Sequence, residues 1–201
     1  MFKNVVNSPA PFALFPTLSW FIAFSGVSQT TYISSQLPSP FRGNRLVLPG
    51  PNQIRTFSIP VQKVSHIKDV QGLRSSVQSK WNKELMHALQ TTYGKSAYFD
   101  HYEPFLAQLF ASPDVYLWDL AKELGRWYNQ VLQWDSPWEL SSEPAAQLPQ
   151  KPFKNELYFQ VFSDPLGFVY NAPILDLICN VGPESGLYLE RHIQAIKGFA
   201  S

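Results

Sequence analysis

Tyr158-Phe-Gln-Val-Phe-Ser-Asp-Pro-Leu-Gly-Phe-Val-Tyr-Asn-Ala-Pro-Ile-Leu-Asp-Leu-Ile-Cys-Asn-Val-Gly-Pro183 carries most of what this chain says about its fold. It reads as an apolar strand, a turn at Asp164-Pro165-Leu166-Gly167, a short apolar helix and a stop at Gly182-Pro183. One carboxylate, Asp176, sits in that helix among Ile174, Leu175, Leu177 and Ile178. A charge in such company costs stability unless it is paired or hydrogen-bonded. Asp176 therefore either locks the local structure, as an acceptor for backbone or for Arg45, or acts as a general base whose pKa is set by its apolar setting.

Upstream of this stretch the pattern changes. Thr17 caps a short helix from Leu18 to about Ser25, ended by Gly26. Thr30 to Ser34 reads as a short strand. Arg45–Leu48 and Arg55–Val61 flank Pro49-Gly50-Pro51-Asn52 and predict a hairpin, with Pro60 at its strand end. Ile67–Val70 adds a further short strand. Three helices follow. The first runs from about Ser79 to Tyr93, with Trp81, Leu85, Leu89 and Thr92 on one face and Gly94 as its stop. In the second, Tyr98, Tyr102, Phe105, Leu106 and Leu109 trace a face, with a kink or break expected near Glu103 because of Pro104. The third opens at Ser112-Pro113 and carries the stripe Leu117, Leu120, Leu124, Tyr128 and Val131. Gly125 on that helix permits close approach of another element. Residues 135–153 are rich in Pro, Ser, Glu and Gln and read as a mobile connection. Early strands, then helices, then a C-terminal strand plus short helix make one α+β domain over 1–201.

Composition narrows the function. The chain has 201 residues, 45% of them hydrophobic and 15% aromatic, enough for one substantial core. A net charge of +1 argues against a nucleic-acid footprint. With Cys179 as the single cysteine, no intrachain disulfide or cysteine metal cluster forms, and a cytoplasmic, reducing compartment is the natural reading. Pro11 and Pro16 break the apolar N-terminal stretch, so neither a signal peptide nor a membrane span is expected.

The candidate chemistry is sparse. There is no P-loop, dinucleotide fingerprint or His-Glu-x-x-His, and no metal site is expected, since His66, His87, His101 and His192 lack metal-ligand spacing. Cys179 reads as a small buried hydrophobe. Arg42-Gly43-Asn44-Arg45 offers two guanidiniums around a flexible pair, able to clamp a phosphate or carboxylate or simply to start a strand in solvent. Tyr93 and Lys95, at the end of the first long helix, could face a ligand or form an ordinary helix stop.

Seven segments then align in order with one family. They are Phe15-Pro16 with Trp20-Phe21, Gly43-Asn44-Arg45, Phe57-Ser58-Ile59-Pro60-Val61, Ile67-Lys68-Asp69-Val70, Trp81, Tyr93-Gly94-Lys95-Ser96-Ala97-Tyr98-Phe99, and Gly167-Phe168 through Asp176-Leu177 to Asn180-Val181-Gly182-Pro183. On these the chain resembles the WbqC-like protein family. The resemblance implies a role in building bacterial surface polysaccharides of the O-antigen type, with acyl or aminoacyl (glycyl) transfer onto a sugar suggested for some members. It names no cofactor, and the partners it implies are an activated sugar or acyl donor. Asp176 is the expected catalytic residue, and Asn44, Arg45, Tyr93, Lys95 and Asn180 the expected ligand-binding ones. The chain departs from the family pattern where many members carry His and it has Leu85, and at Leu37–Phe41, Pro173 and Val181. A non-catalytic sugar- or partner-binding accessory protein, built on the aromatic richness, is the second reading.

Overall fold

The structure is a computed structural model that describes residues 8–25, 29–62, 67–147 and 154–198. Helices dominate, and two small sheets brace them. The elements are α1 (Leu18–Phe24), β1 (Thr31–Ser34), β2 (Arg45–Pro49), β3 (Ile54–Ser58), α2 (Trp81–Tyr93), α3 (Phe99–Leu109), α4 (Leu117–Leu132), β4 (Trp138–Ser141), α5 (Ser163–Leu166), α6 (Ile174–Val181) and α7 (Ser185–Gly198). The α+β class holds, with strands early, helices in the centre and helices at the C-terminal end.

The proline-glycine turn gives the expected antiparallel hairpin, with Arg45 opposite Ser58 and Pro49 opposite Ile54. Asn44 closes its open end, accepting from the Ile59 amide on its carbonyl and donating its side-chain amide to the Ile59 carbonyl at 2.7 Å. The second sheet is a parallel pair, β1 against β4, with Thr31 opposite Trp138.

β4 falls inside the stretch read as a mobile connection; residues 148–153 of that stretch lie outside the described residues, as does Gly26. A four-residue strand with one buried residue, Trp138, gives too little alternation to stand out in sequence. It exists because β1 offers it a parallel edge and because Trp138 packs on Trp20, Phe21 and Tyr128. Gly125 has the role expected of it: a Cβ there would lie 2.6 Å from the Trp138 indole. The helix around it passes the tryptophan because that atom is absent.

Other boundaries shift for local reasons. Ile67–Val70 is not a strand; Asp69 makes an isolated bridge to Gln36 and caps a 3-10 turn at Val70–Gly72 by accepting from the Gln71 amide at 2.7 Å. α4 begins at Leu117, not at Ser112-Pro113. The Pro113 carbonyl is already taken by the Ser75 hydroxyl and the Trp81 indole, and Asp114 turns aside to grip Arg74 with both oxygens. α3 runs unbroken through Pro104.

The C-terminal strand expected from Tyr158 does not form, and residues 154–160 have no regular secondary structure. The segment crosses α6 as a strap instead. Gly182 ends α6 at φ +64, as the sequence implies, but the chain does not stop there. A 3-10 turn with Pro183 in its first positions restarts it as α7, an element the sequence reading missed. Tyr188 and Leu189 bury α7 against the core.

Candidate functional site

α6 is short and apolar nearly all round, and seven of its eight residues are buried, Asp176 among them at 2% exposure. A helix of this kind survives only where its polar side chains are met. The strap meets this one. Its burial alternates from 157 to 160: Leu157 and Phe159 are 69% and 63% exposed, Tyr158 is half-buried and Gln160 is buried, and Asn155 before them is buried too. The Tyr158 hydroxyl donates to Asp176 Oδ2 at 2.6 Å, and Gln160 Nε2 donates to the same oxygen at 2.9 Å. Gln160 also ties the strap to its own return, giving Nε2 to the Val169 carbonyl and receiving the Val169 amide on Oε1.

Burial pushes the Asp176 carboxyl up to about 6, while hydrogen bonds from Tyr158 and Gln160 and the nearby Tyr93 hydroxyl pull it back. Tyr93 and Tyr158 are themselves raised well above the usual phenol range, first by burial and then by the Asp176 charge. Cys179 is raised by the same two causes, so its thiol stays protonated, which suits the reading of it as a buried hydrophobe.

Two buried polar atoms at this site have no hydrogen-bond partner. Tyr93 Oη faces the carboxyl without making a hydrogen bond of normal geometry, and Asn180 Oδ1 is unmatched although its Nδ2 donates to the Asp176 carbonyl one turn back. Asp176 and Asn180 share one face of α6 by that spacing.

The structure thus brings together Asp176, Tyr93 and Asn180 of the expected set. Arg45 and Lys95 are exposed, and neither takes part in the hydrogen bonds or charge interactions that set the Asp176 carboxyl. α2 packs on both β2 and α6. Asn44 serves the hairpin, with its Oδ1 buried and unmatched. Tyr158 and Gln160 are the residues that sequence reasoning missed. Their signal was two polar-tipped side chains two apart in a run read as a strand, which puts both on one face.

A separate surface groove of about 540 Å³ is bordered by Val61, Gln62, Ser76, Val77 and Gln78. Among the described residues no group of three or more His, Cys, Asp or Glu is placed to hold a metal ion, and no helix is long and apolar enough to cross a membrane.

No curated protein and no solved structure matches the chain. The sequence profile of the WbqC-like protein family matches residues 40–152, which include Asn44, Arg45, Tyr93 and Lys95 but stop short of the strap and α6. That match spans more than half of the 201 residues, and the chain belongs to the WbqC-like protein family.

Proposed function

We propose that this chain acts in the cytoplasm in building bacterial surface polysaccharide of the O-antigen type, by transferring an acyl or aminoacyl group, such as glycyl, to a sugar. The observation that carries the reading is a carboxyl buried on α6, with the Tyr158 hydroxyl on one oxygen and the Tyr93 hydroxyl facing it, and pushed up to about 6 by that burial. A base in that range is ionised at neutral pH yet still accepts a proton readily. In the step proposed, the sugar's amine or hydroxyl attacks the carbonyl carbon of the activated donor, forming a C–N or C–O bond. Its proton passes to the Asp176 carboxylate. The donor's leaving group departs with the electron pair of the bond it loses. Tyr93 and Asn180 orient the acceptor, while Arg45 and Lys95, both exposed cations, hold an anionic donor at the surface and Asn44 fixes the arginine turn.

The test is Asp176→Asn. Both contacts to the carboxyl fall on one oxygen, so the amide oxygen of asparagine can keep them and the fold is spared. Product formed from acyl or aminoacyl donors and amino sugars, read by mass, is expected to fall by roughly a hundredfold or more, the usual scale for losing a general base. Unchanged yield with unchanged unfolding sinks the proposal.

Arg45 and Lys95 are exposed while Asp176 is buried, which favours a second reading, a non-catalytic binder of sugar or partner. Its site is then the groove at Gln62, Ser76 and Gln78, whose amides and hydroxyl suit sugar hydroxyls. A thermal-shift screen with nucleotide sugars, acyl-CoA, ATP and amino acids separates the two readings. Under the binder reading Gln78→Ala loses the shift and Asp176→Asn keeps it.

A further inference from the structure

We propose that the strap from Lys154 to Asn171 is an internal stand-in for the acceptor: Tyr158 and Gln160 hold, on Asp176, the places that a vicinal hydroxyl and amine of an amino sugar take once the strap swings away. The proposal rests on the reading of Asp176 as the proton-accepting group and gives that site its substrate class.

The first argument is geometric. One carboxylate oxygen receives an O–H at 2.6 Å and an N–H at 2.9 Å, and the two donors lie 3.1 Å from each other. A hydroxyl and an amine on neighbouring ring carbons, staggered at gauche torsion, span a similar gap. The oxygen is thus already shaped for one O–H beside one N–H.

The second argument is that the surroundings of Asp176 hold more polar capacity than the strap uses. Asn180 Oδ1 is buried with no hydrogen-bond partner, and Tyr93 Oη faces the Asp176 carboxyl without a hydrogen bond of normal geometry. A finished structural network leaves few such atoms, each costly to maintain. An acceptor with several hydroxyls matches them, offering an acceptor oxygen to Tyr93 and a donor to Asn180.

The third argument is that the strap is attached for release. Leu157, Tyr158 and Phe159 make no backbone hydrogen bond, and the two large apolar side chains among them point to solvent. Its anchors are mainly side chains: Asn155 receives the Asn171 amide at 2.8 Å and donates to the Tyr188 hydroxyl, and the Glu156 amide donates to His192 Nε2 at 3.1 Å. The Tyr158 ring holds the strap against Tyr188, and a segment otherwise anchored by side chains is of the kind that opens below the global unfolding free energy. Gly167 sits at φ +79 on the return limb, where a Cβ would touch nothing. Glycine is needed there for the backbone angle and not for space, as at a hinge.

Hydrogen exchange on the full chain tests the opening without any turnover. The Val169 and Asn171 amides, held only by Gln160 and Asn155, are expected to exchange roughly tenfold or more faster than the Ile178 and Cys179 amides within α6. Gly167→Ala strains the closed form and is expected to speed Val169 and Asn171 by about fivefold while leaving α6 unchanged. Calorimetry with D-glucosamine supplies the ligand arm. The double variant Tyr158→Phe/Gln160→Ala is expected to bind roughly tenfold tighter than the parent, and Gly167→Ala about fivefold tighter, because the closed strap no longer competes. Strap amides that exchange in step with α6 overturn the proposal. So does a failure of both variants to bind glucosamine more tightly than the parent. Retained product in Asp176→Asn would instead defeat the transfer reading, so the two failures are distinguishable.

Discussion

The arginine turn at residues 42–45 and the acid on α6 were both candidates by chemistry, one for binding and one for catalysis, yet the protein treats them oppositely. Arg45 stands in solvent at the start of β2, where a charge keeps its hydration and needs no partner. Asp176 is stripped of water and is held by Tyr158 and Gln160, with the Tyr93 hydroxyl nearby. A solvated charge says little about where function lies, because it costs nothing to keep. A buried charge is a standing cost, and the groups arranged around it show what the fold maintains at that price.

The strongest test of this contrast is pH. The Asp176 carboxyl is raised from 3.8 to about 6 in the folded protein, chiefly by burial. The folded state therefore holds the proton more tightly than the unfolded chain does. The resulting stability is fully present below pH 3.8 and is lost as pH rises through 6. The shift corresponds to about 3 kcal/mol. Tyr93, Tyr158 and Cys179, which face the same carboxyl, are raised and titrate far above this window. Urea titrations of the parent and Asp176→Asn at pH 4 and pH 8 should show the parent losing that increment relative to the variant. Parallel pH profiles would remove the contrast between the two regions.

Tyr158→Phe sharpens it further. The variant keeps the ring packed against Phe168 and Tyr188 but deletes a hydrogen bond to a buried carboxylate. A loss of about 2 kcal/mol is expected at pH 8 and less at pH 4, where the carboxyl is mostly protonated. An equal loss at both values would place the effect in packing rather than charge. The smallest effects belong to the hairpin. Asn44→Ala should cost about 1 kcal/mol for its bond to the Ile59 carbonyl, while Arg45→Ala and Lys95→Ala should each stay within about 0.5 kcal/mol in denaturant unfolding. A large destabilisation from Arg45→Ala would show that the turn is structural after all.

What the sequence disclosed follows the range of the forces involved. The hairpin, α1, α2 and α6 are specified by turn residues and by periodicity within about a dozen positions, and each appears where expected. The depth of Asp176 was legible for the same reason, since its four neighbours are apolar. β4 was hidden because its reason to exist, the edge of β1, lies far back in the chain. The strap was mistaken for a strand because alternation looks alike whether or not a neighbour is there to pair with. The acid's partners were hidden with it: Tyr158 and Gln160 were read as strand residues and so were not weighed as ligands of a carboxylate. α7 was lost behind Gly182-Pro183, which ends one helix and starts the next turn with the same two residues.

The parallel pairing of Thr31 with Trp138 carries a consequence for biogenesis. A parallel edge cannot be closed by a local turn, so β1, already bridged by Ala10 on one side, leaves the ribosome about 100 residues ahead of its strand partner β4. At roughly 5–20 residues per second this interval is on the order of ten seconds. Throughout it the rings of Trp20 and Phe21, later covered by Trp138, stay uncovered on the nascent chain. That window suits a holding chaperone, and a ribosome stalled before Trp138 would display Trp20 and Phe21 without the ring that packs on them.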